Sequence, residues 1–237
     1  NLSASLSEAE QRVLLIDFDP QGNTTSGLAS CISEDKEGTI YDLLCDNEDI
    51  EDCLCRDVMS GFDLIKSDMD LSGVEAEFQG LPDMDVRLKN VTEKLRDDYD
   101  YILIDCPPSI SVLTVNAMTA ADSVIIPIQC EYYALEGLNQ VLKLIDLVRQ
   151  KLNPGLYVEG VLFTMYDQRT RLSEQVVESV RDNLKERIFD TVIPRNVRLA
   201  EAPSFGEPIN IYDSSSRGAE SYRLLAAEIL EREGREI

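Results

Sequence analysis

The chain contains no histidine, and its six cysteines are not spaced as a zinc site requires. Cys53 and Cys55 form a C-x-C, but no second pair stands at metal-ligand spacing, and a tetrahedral site needs four good ligands. The thiols are therefore read as reduced and neutral or partly buried. No apolar run approaches the ~18 residues of a membrane span. The opening residues, NLSASLSEAE, lack the basic start and apolar stretch of a secretory leader. These absences point to a cytoplasmic protein. Positive charge is also scarce: 22 Lys and Arg against 45 Asp and Glu give a net charge of −23, which argues against a generic nucleic-acid binder. No internal repeat or low-complexity linker is visible.

What the chain does have is apolar content and alternation. Its 237 residues are 43% hydrophobic, enough to bury a sizeable core, and we read residues 1–237 as one α/β domain. Short apolar runs at Val13–Phe18, Tyr101–Cys106, Ser123–Cys130, Tyr157–Met165 and Thr191–Pro194 have the composition of strands covered on both faces. Helical periodicity falls between them, over Val86–Arg96, Leu135–Leu152, Leu172–Ile188 and Ala219–Leu230. This alternation predicts a three-layer, doubly wound, mostly parallel sheet. The acidic, cysteine-bearing stretch Ser33–Asp57 is the least regular part and reads as a solvated excursion of helix and loop.

Charge is unevenly spread. Residues 1–105 carry 26 acidic and 8 basic side chains, whereas residues 106–237 carry 19 and 14. From Met165 to Arg217 there are 9 acidic and 8 basic residues, seven of the latter Arg. Any anion-binding surface should lie in that segment.

Two motifs suggest chemistry. In Val13-Leu-Leu-Ile-Asp17-Phe-Asp19-Pro-Gln-Gly-Asn-Thr-Thr25 an apolar strand ends in two carboxylates, followed by a turn and by hydroxyl residues able to start a helix. Asp17 and Asp19 are two apart, so an ideal strand would put them on one face. Ligands of α/β sheets bind beyond the carboxyl ends of strands, where two acids suit Mg²⁺ or a polarised water. An Asp-Pro turn followed by a helix cap would use the same residues. In Tyr101-Ile-Leu-Ile-Asp105-Cys-Pro-Pro-Ser109 an apolar strand again ends in Asp, the Walker B pattern, with a stiff Pro-Pro turn after it.

The phrases LLIDFDPQGNTTSGL, YILIDCPPSISVLTVNAMTAADSVIIPIQCEYYALEGL and IPRNVRLAEAPSFGEPINIYDSSSRGAESYRLLAAEI resemble the ParA/Soj family of partitioning ATPases, as do GTIYDLL and the stretch near LSGVEAEF. The resemblance covers nearly the whole chain. It implies a deviant P-loop NTPase that hydrolyses ATP with Mg²⁺, forms a homodimer around two ATP molecules, binds DNA without sequence preference and is stimulated by a ParB-type partner. Carried over, Asp19 would position the attacking water. Asp105 would hold Mg²⁺ through water, and Asp17 would support the magnesium network. Pro194 and Asn196 would border the adenine. Arg169, Arg195 and Arg198 match arginines of the family's DNA-contacting surface. Pairing of each with a nearby acid such as Asp167 or Glu201 is the alternative.

The chain departs from the family in one respect. The family's KGGVGKTT-type loop precedes the helix that runs into Asn1-Leu2-Ser3, and no such loop occurs here. The family pattern implies a further ~15–20 residues, a strand of ~6 residues plus the loop and first helical turn. Without them the expectation is a chain that does not bind or hydrolyse ATP by itself, with an open slot or a substituted pairing in mid-sheet beside the Tyr101–Cys106 strand. Three other readings remain, one of them an iron–sulfur relative, for which Cys106 directly after Asp105 offers no cluster-type spacing. A MinD-like membrane ATPase would need a basic amphipathic end, but Leu224–Ile237 is mixed and acid-rich. A non-enzymatic adaptor would leave Asp17, Asp19 and Asp105 without a joint purpose.

Overall fold

The computed structural model describes residues 1–33, 36–45, 48–131, 134–184 and 188–234. In chain order the elements are α1 (Leu2–Glu8), β1 (Val13–Asp17), α2 (Asn23–Ser26), α3 (Ile40–Cys45), α4 (Ile50–Cys53), β2 (Leu54–Met59), β3 (Phe62–Ile65), α5 (Val74–Phe78) and α6 (Arg87–Leu95). There follow β4 (Tyr101–Asp105), α7 (Val112–Ala120), β5 (Ser123–Gln129), α8 (Ala134–Lys151), β6 (Tyr157–Thr164), α9 (Arg171–Asn183), α10 (Val197–Glu201), α11 (Ile209–Tyr212) and α12 (Arg217–Arg232). The architecture is α/β with mostly parallel strands, as the alternation predicts.

β1 lies between β3 and β4, parallel to both, and β2 adds antiparallel to the outer edge of β3. β1 is buried along its whole length, which is why its sequence is apolar until Asp17. Its alternating side chains feed two cores. Leu14, Ile16 and the following Phe18 pack with α3, α5, α6 and α7, whereas Val13 and Leu15 pack with α1 and α12. β5 and β6 form a separate parallel pair covered by α8 and α9.

Among the described residues no ladder joins β4 to β5, so the sheet is interrupted where the sequence predicts a slot. Among the described residues β4 is paired on the β1 side only, and it is partly buried, in contrast to β1. Two helices bridge the gap from opposite faces. On one face α12 places Ala226 and Leu230 in the core with β1 and Leu225 and Ile229 in the core with Leu162 of β6. On the other, α7 contributes Leu113 and Ala117 to the first sheet's core and Met118 to the second's. Burying an aliphatic side chain of this size is worth ~1.5–3 kcal/mol, so a handful of such residues can fasten two half-sheets without a ladder.

Several expectations are corrected. Thr191–Pro194 is not a strand. It makes a single parallel bridge, Tyr166 to Pro194. The segment Ser33–Asp57 is not a solvated excursion in its described part. α3 and α4 bury Ile40, Leu43, Leu44 and Cys53, and β2 buries Leu54 and Cys55. Residues 34–35 and 46–47 of that segment, and 185–187 of the helix read over Leu172–Ile188, lie outside the described residues. The cysteine reading holds: Cys53, Cys55 and Cys130 are buried, and burial pushes the Cys53 thiol up to about 12 and that of Cys130 up to about 11.

Candidate functional site

The two sequence motifs meet at the carboxyl end of the first sheet. Asp17 and Asp105 are the last residues of β1 and β4 and stand opposite one another in register. The next step of the chain is fixed by Phe18 N–H donating to the Asp105 carbonyl at 2.8 Å. Asp19 is not on the strand face with Asp17. It lies in the turn that follows, where its carboxylate accepts from Gln21 N at 3.0 Å and its carbonyl from Gly22 N at 2.9 Å. The Asp-Pro turn is therefore real, but the cap of α2 is Gly22, in the left-handed conformation at φ 60°. A Cβ there would sit 3.3 Å from the Ser67 carbonyl.

Each carboxylate has a distinct environment. Asp17 is fully buried. One of its oxygens, Oδ2, accepts from Thr25 N–H at 2.8 Å and Thr25 Oγ1 at 2.7 Å, and Oδ1 accepts from Asp19 N–H at 3.3 Å. Burial raises its pKa above the ordinary Asp value, the Thr25 and Asp19 hydrogen bonds oppose this, and the Asp105 charge adds to it. Asp105 is exposed, and Thr24 Oγ1 donates to its Oδ2 at 2.5 Å. Its other oxygen accepts no hydrogen bond among the described residues. A hard carboxylate oxygen beside a hydroxyl at a strand end is the donor chemistry that suits Mg²⁺, which keeps several waters. Asp17 fits that role less well, because both its oxygens are engaged. Cys106 lies within reach of both outer acids. Burial, then the charges of Asp105 and Asp19, push its thiol up to about 12, so it stays neutral.

Asp19 opens onto a cavity of about 370 Å³ lined by Leu71, Glu75, the Pro107–Pro108 turn and the start of α7. A second hollow of about 480 Å³ lies beside it, between α2 and the Lys66–Met69 segment. α1 is held at its start by Asn1, whose side-chain oxygen accepts from Ile209 N–H at 2.9 Å. Glu8 at the other end of α1 is held by Arg223 at 2.8 Å and Asn210 at 2.6 Å.

The remaining predicted residues lie at the end of β6. Tyr166 N–H donates to Ile193 O, and Arg195 N–H to Tyr166 O, so the 165–170 and 193–196 segments run side by side. Asn196 is the cap of α10, its Oδ1 accepting from Arg198 N–H at 2.8 Å and Leu199 N–H at 3.4 Å. Arg169 grips Asp167 with two bonds of 2.9 and 2.7 Å, which holds the Asp167 carboxyl well below the usual range. Arg198 pairs with Glu201 at 2.9 Å and Asp213 at 3.3 Å. Among the described residues Arg195 makes no ion pair. Sequence reasoning missed the hydroxyls of Thr24 and Thr25 as partners of the acids. The signal is present, since two threonines follow the acids, but in sequence it looks the same as a helix start.

A family model described as an AAA domain matches residues 1–158. The chain is 49% identical over 234 residues to the chromosome partitioning protein ParA of Myxococcus xanthus, covering 98% of this chain and 82% of that one. It is 51% identical over 229 residues to the sporulation initiation inhibitor protein Soj of Bacillus subtilis, covering 97% and 90%. Among solved structures, cobyrinic acid a,c-diamide synthase from Mycobacterium smegmatis with bound ATP analog and magnesium is 34% identical, with a TM-score of 0.83 and coverage of 100% and 89%.

Proposed function

The chain belongs to the ParA/Soj family of partitioning ATPases, and from that premise we propose that residues 1–237 form one cytoplasmic, nucleoid-associated ATPase domain in which Asp19 positions the hydrolytic water. The observation that carries this reading is the convergence of Asp17, Asp19 and Asp105 at one sheet end, beside an open cavity. Asp105, through water, would hold Mg²⁺, which when bound neutralises charge on the phosphates. Asp19, half-buried and free of any ion pair among the described residues, would orient a water within hydrogen-bond reach. Asp17 would hold the turn that presents Asp19. Pro194 and Asn196 would border the adenine, Asn196 with its amide nitrogen only, because its oxygen caps α10. ATP would drive homodimerisation, the arginine-bearing face would bind DNA without sequence preference, and a ParB-type partner would speed turnover.

No KGGVGKTT-type sequence occurs within residues 1–237, so these residues offer no nest of backbone N–H groups for the phosphates. We infer that they do not hold ATP unaided. Titration calorimetry tests this on residues 1–237 and on the same chain extended at Asn1 by a strand and a KGGVGKTT-type loop. The expected result is heat from ATP only in the extended chain. Asp19→Ala in that chain should keep ATP affinity while turnover falls by at least ~100-fold. If the extended chain fails to bind ATP, the ATPase reading falls.

A further inference from the structure

Thr25 is a small side chain whose hydrogen-bonding capacity is used on both sides. Its hydroxyl donates to Asp17 Oδ2 at 2.7 Å and accepts from Ser67 N–H at 3.0 Å, while its own N–H donates to the same Asp17 oxygen at 2.8 Å. Because the one hydroxyl proton goes to the carboxylate, a lone pair is left for Ser67, and the rotor has a single satisfactory orientation. The chain of bonds continues through Asp17 Oδ1 to Asp19 N–H at 3.3 Å. Its members tie together the end of β3, helix α2 and the end of β1. Asp17 is fully buried and Ser67 nearly so, and in such surroundings a polar group left without its partner is costly. Gly22, pressed against the Ser67 carbonyl, brings the start of α2 to the same place. Thr24 does something different: it reaches outward to Asp105.

We propose that Thr25 is the positioning residue for Asp19, its hydroxyl bridging Asp17 and Ser67 so that the 19–26 segment is fixed across the ends of β1 and β3. This rests on the reading of Asp19 as the hydrolytic residue. Thr25 itself touches no reacting atom. Valine has nearly the shape of threonine, so Thr25→Val removes the bridge with little change in packing, and Thr25→Ser keeps the hydroxyl.

The test has two readouts. Amide hydrogen exchange on residues 1–237 should be faster by about tenfold at Ser67 and Asp19 in Thr25→Val, with Leu15 and Leu64 in the strand interiors unchanged. In the chain extended by the KGGVGKTT-type loop, Thr25→Val should lower kcat by ~10–100-fold with the KM for ATP within about twofold, because the loss falls on the geometry of the reacting step. Thr25→Ser should restore both. Faster exchange spread evenly through β1 and β3, with kcat per folded molecule unchanged, would overturn the proposal in favour of a purely structural threonine. Unchanged exchange at Asp19 would overturn it as well. The expected exchange pattern in Thr25→Val, together with a wild-type extended chain that binds ATP without hydrolysing it, would sink the reading of Asp19 and leave Thr25 as the anchor of the segment alone.

Discussion

Two carboxylates illustrate how burial leads to opposite outcomes at the residue scale, according to the partners each finds. For Asp17 burial dominates, and its pKa rises despite the Thr25 and Asp19 bonds. For Glu228 burial also acts first, but it is outweighed by the N–H groups of Thr191 and Asp190 at 2.9 and 2.8 Å and by Arg232 at 2.6 Å, so its pKa falls below the ordinary 4.5. The signs follow from linkage. Glu228 binds a proton less readily when folded, so its contribution to stability is full above pH 4.5 and is lost as pH falls through its lower folded value. Asp17 binds one more readily when folded, so it costs stability as pH rises through its raised value. Glu228→Gln should therefore lower the unfolding free energy at pH 7 by about 1.5–3 kcal/mol, the range for hydrogen bonds to a charged group. The deficit should shrink as pH falls below 4.5, where the carboxyl of the unfolded wild-type chain takes up its proton. Urea unfolding at pH 7 and pH 3.5 measures this, and a deficit equal at both values would contradict it.

At the scale of elements, α2 depends on one backbone conformation. Gly22 caps it at φ 60°, and Ser67 O would lie 3.3 Å from any added Cβ. Gly22→Ala should cost about 1–2 kcal/mol from the left-handed backbone alone. It should also displace the turn bearing Asp19, seen as a lower urea midpoint with faster exchange in Asn23–Ser26. An unchanged midpoint would show that the turn relaxes without cost. The sequence revealed the strands that end in Asp17 and Asp105 because both are apolar, parallel and covered on two faces. It did not reveal β2 and β3. β2 carries Arg56 and Asp57 at an antiparallel edge whose register shifts between Cys55 and Met59, so no period-2 alternation survives. β3 is four residues long and contains Asp63, a buried acid to which Tyr99 Oη and Asp57 N–H donate at 2.6 and 2.8 Å and with which Arg56 pairs at 3.6 Å. Tyr99 and Asp57 are 36 and 6 residues away, beyond any local pattern. At the site, apolar runs ending in Asp located the carboxylates, but the division of labour between Thr24 and Thr25 is a tertiary matter. It follows from which strand end each hydroxyl faces.

Across the whole molecule, a net charge of −23 sets the terms on which DNA could be bound. Long-range attraction is absent, so binding must come from a few close phosphate contacts, and it should weaken steeply with salt. The arginines the family resemblance selects are not equally available. Arg169 is committed to Asp167 through two bonds, and Arg198 to Glu201 and Asp213, whereas Arg195 is in electrostatic reach of Asp167 but makes no direct ion pair among the described residues. A guanidinium must give up its carboxylate before it can fork onto a phosphate. Arg195→Ala should thus weaken duplex DNA binding at every sequence and reduce the slope of log K against log salt by about 1. Arg169→Ala should change it less, and Asp167→Ala, which releases Arg169, should strengthen binding. Fluorescence anisotropy of a labelled duplex across a salt series, on the extended chain with ATP, distinguishes the three. Equal losses for Arg169→Ala and Arg195→Ala would mean that the Asp167 pair opens readily on DNA. Weaker binding by Asp167→Ala would mean that the pair itself shapes the surface the phosphates meet.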